Sequence, residues 1–258
     1  MWFRITLRCD INRGVGIKGA SGSCATSPRS SPTGDPQGRV CAGASTVGAV
    51  PSWKATFPIH HLPGGTPMTA DLTRPRPPAP TGLLPSVPSF TLTSADLTEQ
   101  GRIPDIFTGI HDNISPALSW SGFPEQTQSF VVSCFDPDAP TMSGWWHWTI
   151  VDLDASVTSL ERGAGASDLQ LDGAAFHLAG DSGDHTWFGP YPPAGDGDHR
   201  YVFTVSALDV DTLGLDDEAS PAMAAFTLVP HCIARATLTA TYSVPGEPGA
   251  AAFLRDGQ

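Results

Sequence analysis

Proline and glycine interrupt this chain too often for long helices to run: 25 prolines and 27 glycines fall among 258 residues. Proline breaks a helix interior and glycine weakens it, so such dense punctuation suits short strands joined by turns. Between the interruptions, period-2 patterns emerge. Residues 89–93 alternate, and 128–135 form an apolar run with β-branched and aromatic residues, as in a buried strand. Alternation over 146–153 places His147, Thr149 and Val151 on one face, with Trp148, Ile150 and Asp152 on the other. Over 199–208, the side chains of His199, Tyr201, Phe203 and Val205 share a face, and 235–244 read as a final, Thr-rich strand. One helix is expected, with Ser220 as N-cap and Pro221 at the first helical position. Its apolar side is read as Met223, Phe226 and Val229 or Pro230, with Pro230 ending or kinking it.

Charge divides the chain. Residues 1–67 hold seven Lys/Arg, both lysines among them, against Asp10 and Asp35; residues 68–258 hold seven basic residues against 24 acids. The first segment lacks sustained periodicity and is expected to be unstructured. Met68 follows it where the composition changes, so either Met68 is the true start or the first segment is a genuine extension. A Pro-rich linker over 68–87 then leads to one domain over 88–246 and a flexible tail over 247–258. With 40% hydrophobic residues, the chain can bury a proper core. An acidic body repels phosphate backbones and anionic headgroups, which argues against nucleic-acid and membrane partners.

None of Cys9, Cys24, Cys41, Cys134 and Cys232 pairs as Cys-x-x-Cys, so neither a zinc ribbon nor a thioredoxin-type site is indicated. Cys134 sits in an apolar run, where a thiol behaves as a small hydrophobe. Arg4 and Arg8 are not followed by an apolar stretch of signal-peptide length, and a reducing, cytoplasmic location is expected.

Two segments concentrate chemistry. Asp136-Pro137-Asp138-Ala139-Pro140 follows a buried strand and precedes Gly144-Trp145-Trp146-His147-Trp148. Gly189-Pro190-Tyr191-Pro192-Pro193 runs through Gly195 and Gly197 into His199-Arg200-Tyr201. A carboxylate, two imidazoles and a phenol at strand ends allow three chemistries. They could bind an anion, form a two-histidine, one-carboxylate metal site, or act as general acid and base. Spacing alone does not choose among them. Gly180-Asp181-Ser182-Gly183 is similar to a serine-protease nucleophile segment but continues with Asp184-His185, and reads as a loop. His111, His177, His185 and His231 stand alone in sequence and read as solvated or packed.

These segments, in this order and spacing, resemble the signatures of the phosphatidylethanolamine-binding (Raf kinase inhibitor protein-like) family, in its bacterial and archaeal branch. The segment from Asp112 to Gly122 is similar to its bacterial members too. The resemblance implies a mainly β fold, an antiparallel β-sandwich with one or two short helices and a small anion pocket at one end. It assigns that pocket to Asp136, His147, Pro193, His199 and Tyr201, with Asp138 bracing the turn and Pro137 and Pro140 shaping the loop. Trp145, Trp146 and Trp148 either wall the pocket or fill core. The implied function is binding of a phosphate, carboxylate or phosphorylated headgroup. A kinase or protease is the implied protein partner and a homodimer the implied state. No cofactor and no metal ion is called for. The rival function is an acid–base or metal-dependent enzyme using the same Asp/His pocket. Two departures concern the rim: Tyr191 stands where bacterial relatives often carry Cys, and Thr186-Trp187 where they tend to have Gly-Tyr.

Overall fold

A computed structural model describes residues 74–246. The expectations for residues 1–67, Met68, the first three cysteines and the tail over 247–258 fall outside the described residues.

Among the described residues, eight strands form two sheets. Strands β1 (Thr91–Thr93), β2 (Leu118–Ser121) and β5 (Ser159–Leu160) make a small sheet in the order β1-β2-β5. A five-stranded sheet has the order β6-β4-β3-β7-β8, from β3 (Ser129–Asp136), β4 (Trp145–Asp154), β6 (Phe176–His177), β7 (His199–Leu208) and β8 (Cys232–Tyr242). All named strands pair antiparallel. The expected antiparallel β fold with little helix is therefore present.

Apolar residues on both faces of the large sheet make two cores. On one face, Phe130, Val132, Cys134, Trp148, Ile150, Tyr201, Phe203 and Val205 pack with Leu118, Trp120 and Leu160 of the small sheet. On the other, Val131, Val151 and Leu208 pack with Ala224 of helix α1 (Pro221–Thr227) and with Leu228, which caps its end. Cys134 and Cys232 are buried free thiols in different cores.

The helix begins as expected: the Ser220 hydroxyl accepts from the Met223 N–H, and Pro221 occupies the first turn. Its buried face is a correction. Ala224 and Leu228 face the sheet, whereas Met223 and Phe226 are 51% and 77% exposed. Pro221, Ala224 and Leu228 recur three and four residues apart, so they share the stripe turned to the sheet and leave Met223 and Phe226 on the other side.

The free edge of β8 is covered. Arg235 N–H donates to the Pro88 carbonyl, and Gln100 and Ile103 donate to Thr239 and Thr241. An uncovered edge would expose a row of unpaired backbone groups. Segment 74–87, expected as a linker, is bonded to the same domain: Arg200 donates to the Pro77 carbonyl at 2.7 Å, and Pro80–Leu83 form a 3-10 turn.

Two β-bulges in β4 alter the alternation read from sequence. Cys134 opposes Trp148 while Phe135 opposes Trp146, so His147 is an extra residue. A bulge re-aims side chains, and His147 joins Trp148 on the Tyr201 face instead of lying opposite it. The second bulge lies between the Val132–Ile150 and Phe130–Leu153 pairs. There Asp152 takes a left-handed φ of 57° and turns its carboxylate to Thr212 and Leu213. Leu153 thereby returns to the first core.

Candidate functional site

At one end of the large sheet, β3 ends at Asp136, β4 begins at Trp145 and β7 begins at His199. Their ends and the 188–193 segment enclose a cavity of about 360 Å³. Asp136, His147, Pro193, His199 and Tyr201 all line it, together with Trp145 and Tyr191. Trp148 fills core, and Trp146 packs on Phe135 with ring centroids 4.6 Å apart. The three tryptophans thus take three different environments.

The loop after β3 is held by carboxylates. Asp136 Oδ1 accepts the Asp138 N–H at 2.7 Å, closing a local turn. Asp138 is buried and accepts from the Arg200 backbone N–H, Nε and Nη2 at 3.0, 2.7 and 2.9 Å. This fork geometry braces the turn, as expected, and ties it to β7. Burial acts to raise the Asp138 pKa, but the Arg200 hydrogen bonds and charge outweigh it and lower the value.

The two cavity histidines are pushed in opposite directions. His147 Nδ1 lies 2.5 Å from the Phe188 carbonyl oxygen, which can only accept. The Nδ1 proton is therefore fixed there, and in the neutral ring Nε2 keeps its lone pair. Burial lowers the His147 pKa, overcoming the opposing pull of Asp136 and the Phe188 carbonyl. His199 instead sets Nδ1 2.7 Å from Asp136 Oδ2 and Nε2 2.8 Å from Asp196 Oδ2. Two acceptors fix two protons, making His199 an imidazolium. Burial acts against this charge, but the hydrogen bonds and charges of Asp136 and Asp196 prevail and raise the pKa. His199 was expected to offer a donor to a ligand; both its N–H groups are already taken.

Other donors take that place. The Tyr201 hydroxyl and Trp145 Nε1 are buried without a hydrogen-bond partner among the described residues. Burial first, and then the charge of Asp136, raise the Tyr201 pKa well above its ordinary value, so the phenol keeps its proton. A buried donor without an acceptor costs about 1–3 kcal/mol, which a ligand oxygen can offset.

Sequence reasoning missed Asp196 and Arg74. Arg74 Nη1 and Nη2 lie 2.7 and 2.8 Å from the two Asp196 carboxylate oxygens. Asp196 sits in an acidic Gly-Asp-Gly-Asp stretch that reads as a solvated turn; its position three residues before His199 was the available signal.

The other histidines among the described residues do not stand alone. His177 is buried with Nδ1 2.6 Å from Asp168, His185 Nδ1 lies 3.0 Å from the His177 carbonyl, His111 bonds Thr108, and His231 faces Asp209. Asp181 binds the Trp146 N–H at 2.8 Å, so the Gly-Asp-Ser-Gly segment is a loop fastened to the start of β4. Trp187, one of the two rim departures, is buried and donates to the Phe107 carbonyl, while Tyr191 is 43% exposed at the cavity.

Comparison with known proteins agrees with this architecture. The phosphatidylethanolamine-binding protein family model matches residues 93–243. The Escherichia coli UPF0098 protein YbhB is 42% identical over 157 residues, covering 59% of this chain and 99% of that protein. A UPF0098 protein of Methanothermobacter thermautotrophicus is 37% identical over 153 residues, covering 59% and 98%. Among solved structures, E. coli YbcL superposes with a TM-score of 0.59 at 38% identity, covering 60% of this chain and 99% of that one. With its profile, relatives and fold in agreement, the chain belongs to the phosphatidylethanolamine-binding protein family, among members of bacterial and archaeal type.

Proposed function

We propose that the protein binds a small anion (phosphate, carboxylate or a phosphorylated headgroup) in the cavity between Asp136, His147, Pro193, His199 and Tyr201. The observation that carries this reading is the pair of buried donors without acceptors, Tyr201 O–H and Trp145 Nε1, on residues lining one cavity. His199 contributes positive charge beside Asp136 without spending a donor on the ligand. His147 Nε2 becomes a further donor once protonated, so anion binding takes up a proton and tightens as pH falls.

The same proposal takes the protein to be a cytoplasmic regulator of a kinase or protease, on the resemblance of its motifs. No helix among the described residues is long and apolar enough to cross a membrane. The rival reading, acid–base or metal chemistry, has less support. With both nitrogens protonated, His199 offers no lone pair to a metal. No group of three His, Cys, Asp or Glu among the described residues is arranged to hold one.

Titration calorimetry with inorganic phosphate tests the proposal. Wild type should bind more tightly at lower pH, and Tyr201→Phe should bind roughly 10- to 150-fold more weakly, since a hydrogen bond to a charged group contributes about 1.5–3 kcal/mol. His147→Gln should lose the pH dependence. Equal affinity in all three proteins would sink the site. Stoichiometric metal uptake abolished by Asp136→Asn would favour the enzyme reading.

A further inference from the structure

The ion-pair network behind the cavity extends to residues outside the matched family segment, which begins at residue 93. Segment 74–88 forms a strap along the domain, bonded through the Pro77 carbonyl to Arg200 and through the Pro88 carbonyl to Arg235. At its start, Arg74 grips the Asp196 carboxylate through both oxygens and also donates to the Asp138 carbonyl. Arg76 donates to the Asp196 carbonyl at 2.6 Å. Arg74, Asp196, His199 and Asp136 thus form an unbroken series of ion pairs from the start of the strap to the cavity.

Charge gives the strap its significance. At the cavity end of the sheet, Asp136, Asp138 and Asp196 face His199 and Arg200, and Asp181 acts on His147, so the carboxylates outnumber the cations. The two strap guanidiniums add positive charge against that excess. In a body rich in acids, an anion meets less repulsion here because the strap is docked.

We propose that Arg74 and Arg76 are positioning residues that set the charge preference of the cavity, with Arg74 acting through Asp196 and His199. This rests on the anion-binding reading above, and it makes the strap a determinant of selectivity. Docked, it lowers the repulsion an anion meets; without its charges, the same cavity discriminates against anions more strongly.

The test uses the full chain with Arg74→Gln, Arg76→Gln, the double variant and Arg74→Lys. Two quantities are read at low ionic strength: inorganic phosphate affinity by calorimetry, and the His147 titration midpoint by NMR. His147 faces Asp136, Asp181 and His199, and it packs on Tyr201 and Phe188. Its midpoint therefore reports the local potential with no ligand present. The double variant should lower phosphate affinity roughly three- to tenfold and raise the His147 midpoint, because two nearby positive charges are gone. Arg74→Lys keeps the charge and should retain most of the affinity; a loss equal to that of Arg74→Gln would overturn the charge argument. Affinity unchanged or increased in the double variant overturns the proposal. If wild type binds no phosphate, the anion reading fails by itself. The midpoint then decides: a rise upholds the strap's electrostatic role, and no movement ends it.

Discussion

His199 couples the cavity to the stability of the fold. Its folded-state pKa is raised above the unfolded value of about 6.5, so the stability it contributes is fully present below that pH. That contribution is lost as pH rises through the folded value. His147 has the opposite sign: its pKa is lowered, so its contribution is present above about pH 6.5 and lost as pH falls through the folded value. Replacing His199 leaves Asp136 and Asp196 buried without their shared cation, and such a broken pair costs about 3–5 kcal/mol. His199→Gln should therefore be less stable by about 3 kcal/mol at pH 6 and should lose the decline that wild type shows on the alkaline side. Urea denaturation across the imidazole range measures both. An alkaline decline equally steep in the variant would mean that His199 is not the titrating group.

At the scale of elements, the cavity depends on how the 136–145 loop returns the chain to the sheet. Gly144 makes that return with φ 72°, and a Cβ there would collide with the Phe135 ring and lie 2.8 Å from the Asp136 carbonyl oxygen. Gly173 has nearly the same φ, 71°, but nothing within 4 Å of an added Cβ. Gly173→Ala should therefore cost about 1 kcal/mol for backbone strain alone, and Gly144→Ala about 3 kcal/mol, because overpacking adds to it. Equal shifts in thermal midpoint would show that contact at Gly144 adds nothing. The long strands were legible because their alternation is sustained: β7 falls where His199, Tyr201, Phe203 and Val205 mark it. Strands β5 and β6 have two residues each, too few for a period to register. The face His147 takes was not legible from alternation, since a bulge depends on pairing with Cys134 and Phe135, which lies outside the local pattern. The five cavity residues emerged from motif resemblance. The Arg74–Asp196 pair joins residues 122 apart, a separation that no local signal carries.

At the scale of the whole molecule, charge bears on assembly. The chain carries a formal net charge of −12, so two copies repel at long range. The homodimer implied by resemblance must overcome that repulsion through short-range contacts, which salt leaves largely intact while it screens the repulsion. The screening length falls from about 30 Å at 0.01 M salt to about 8 Å at 0.15 M, less than the span of a domain. The monomer–dimer equilibrium should consequently move toward dimer as salt is added, opposite to the weakening expected of an association held by complementary charges. Sedimentation equilibrium of the full chain distinguishes these cases. The expected result is a mass approaching twice 27.0 kDa at physiological salt, with dissociation favoured at low salt. A mass of one chain at every salt concentration would rule out the dimer. A dimer that dissociates as salt is raised would instead point to an interface built on charge, drawing on the few basic residues of an otherwise acidic body.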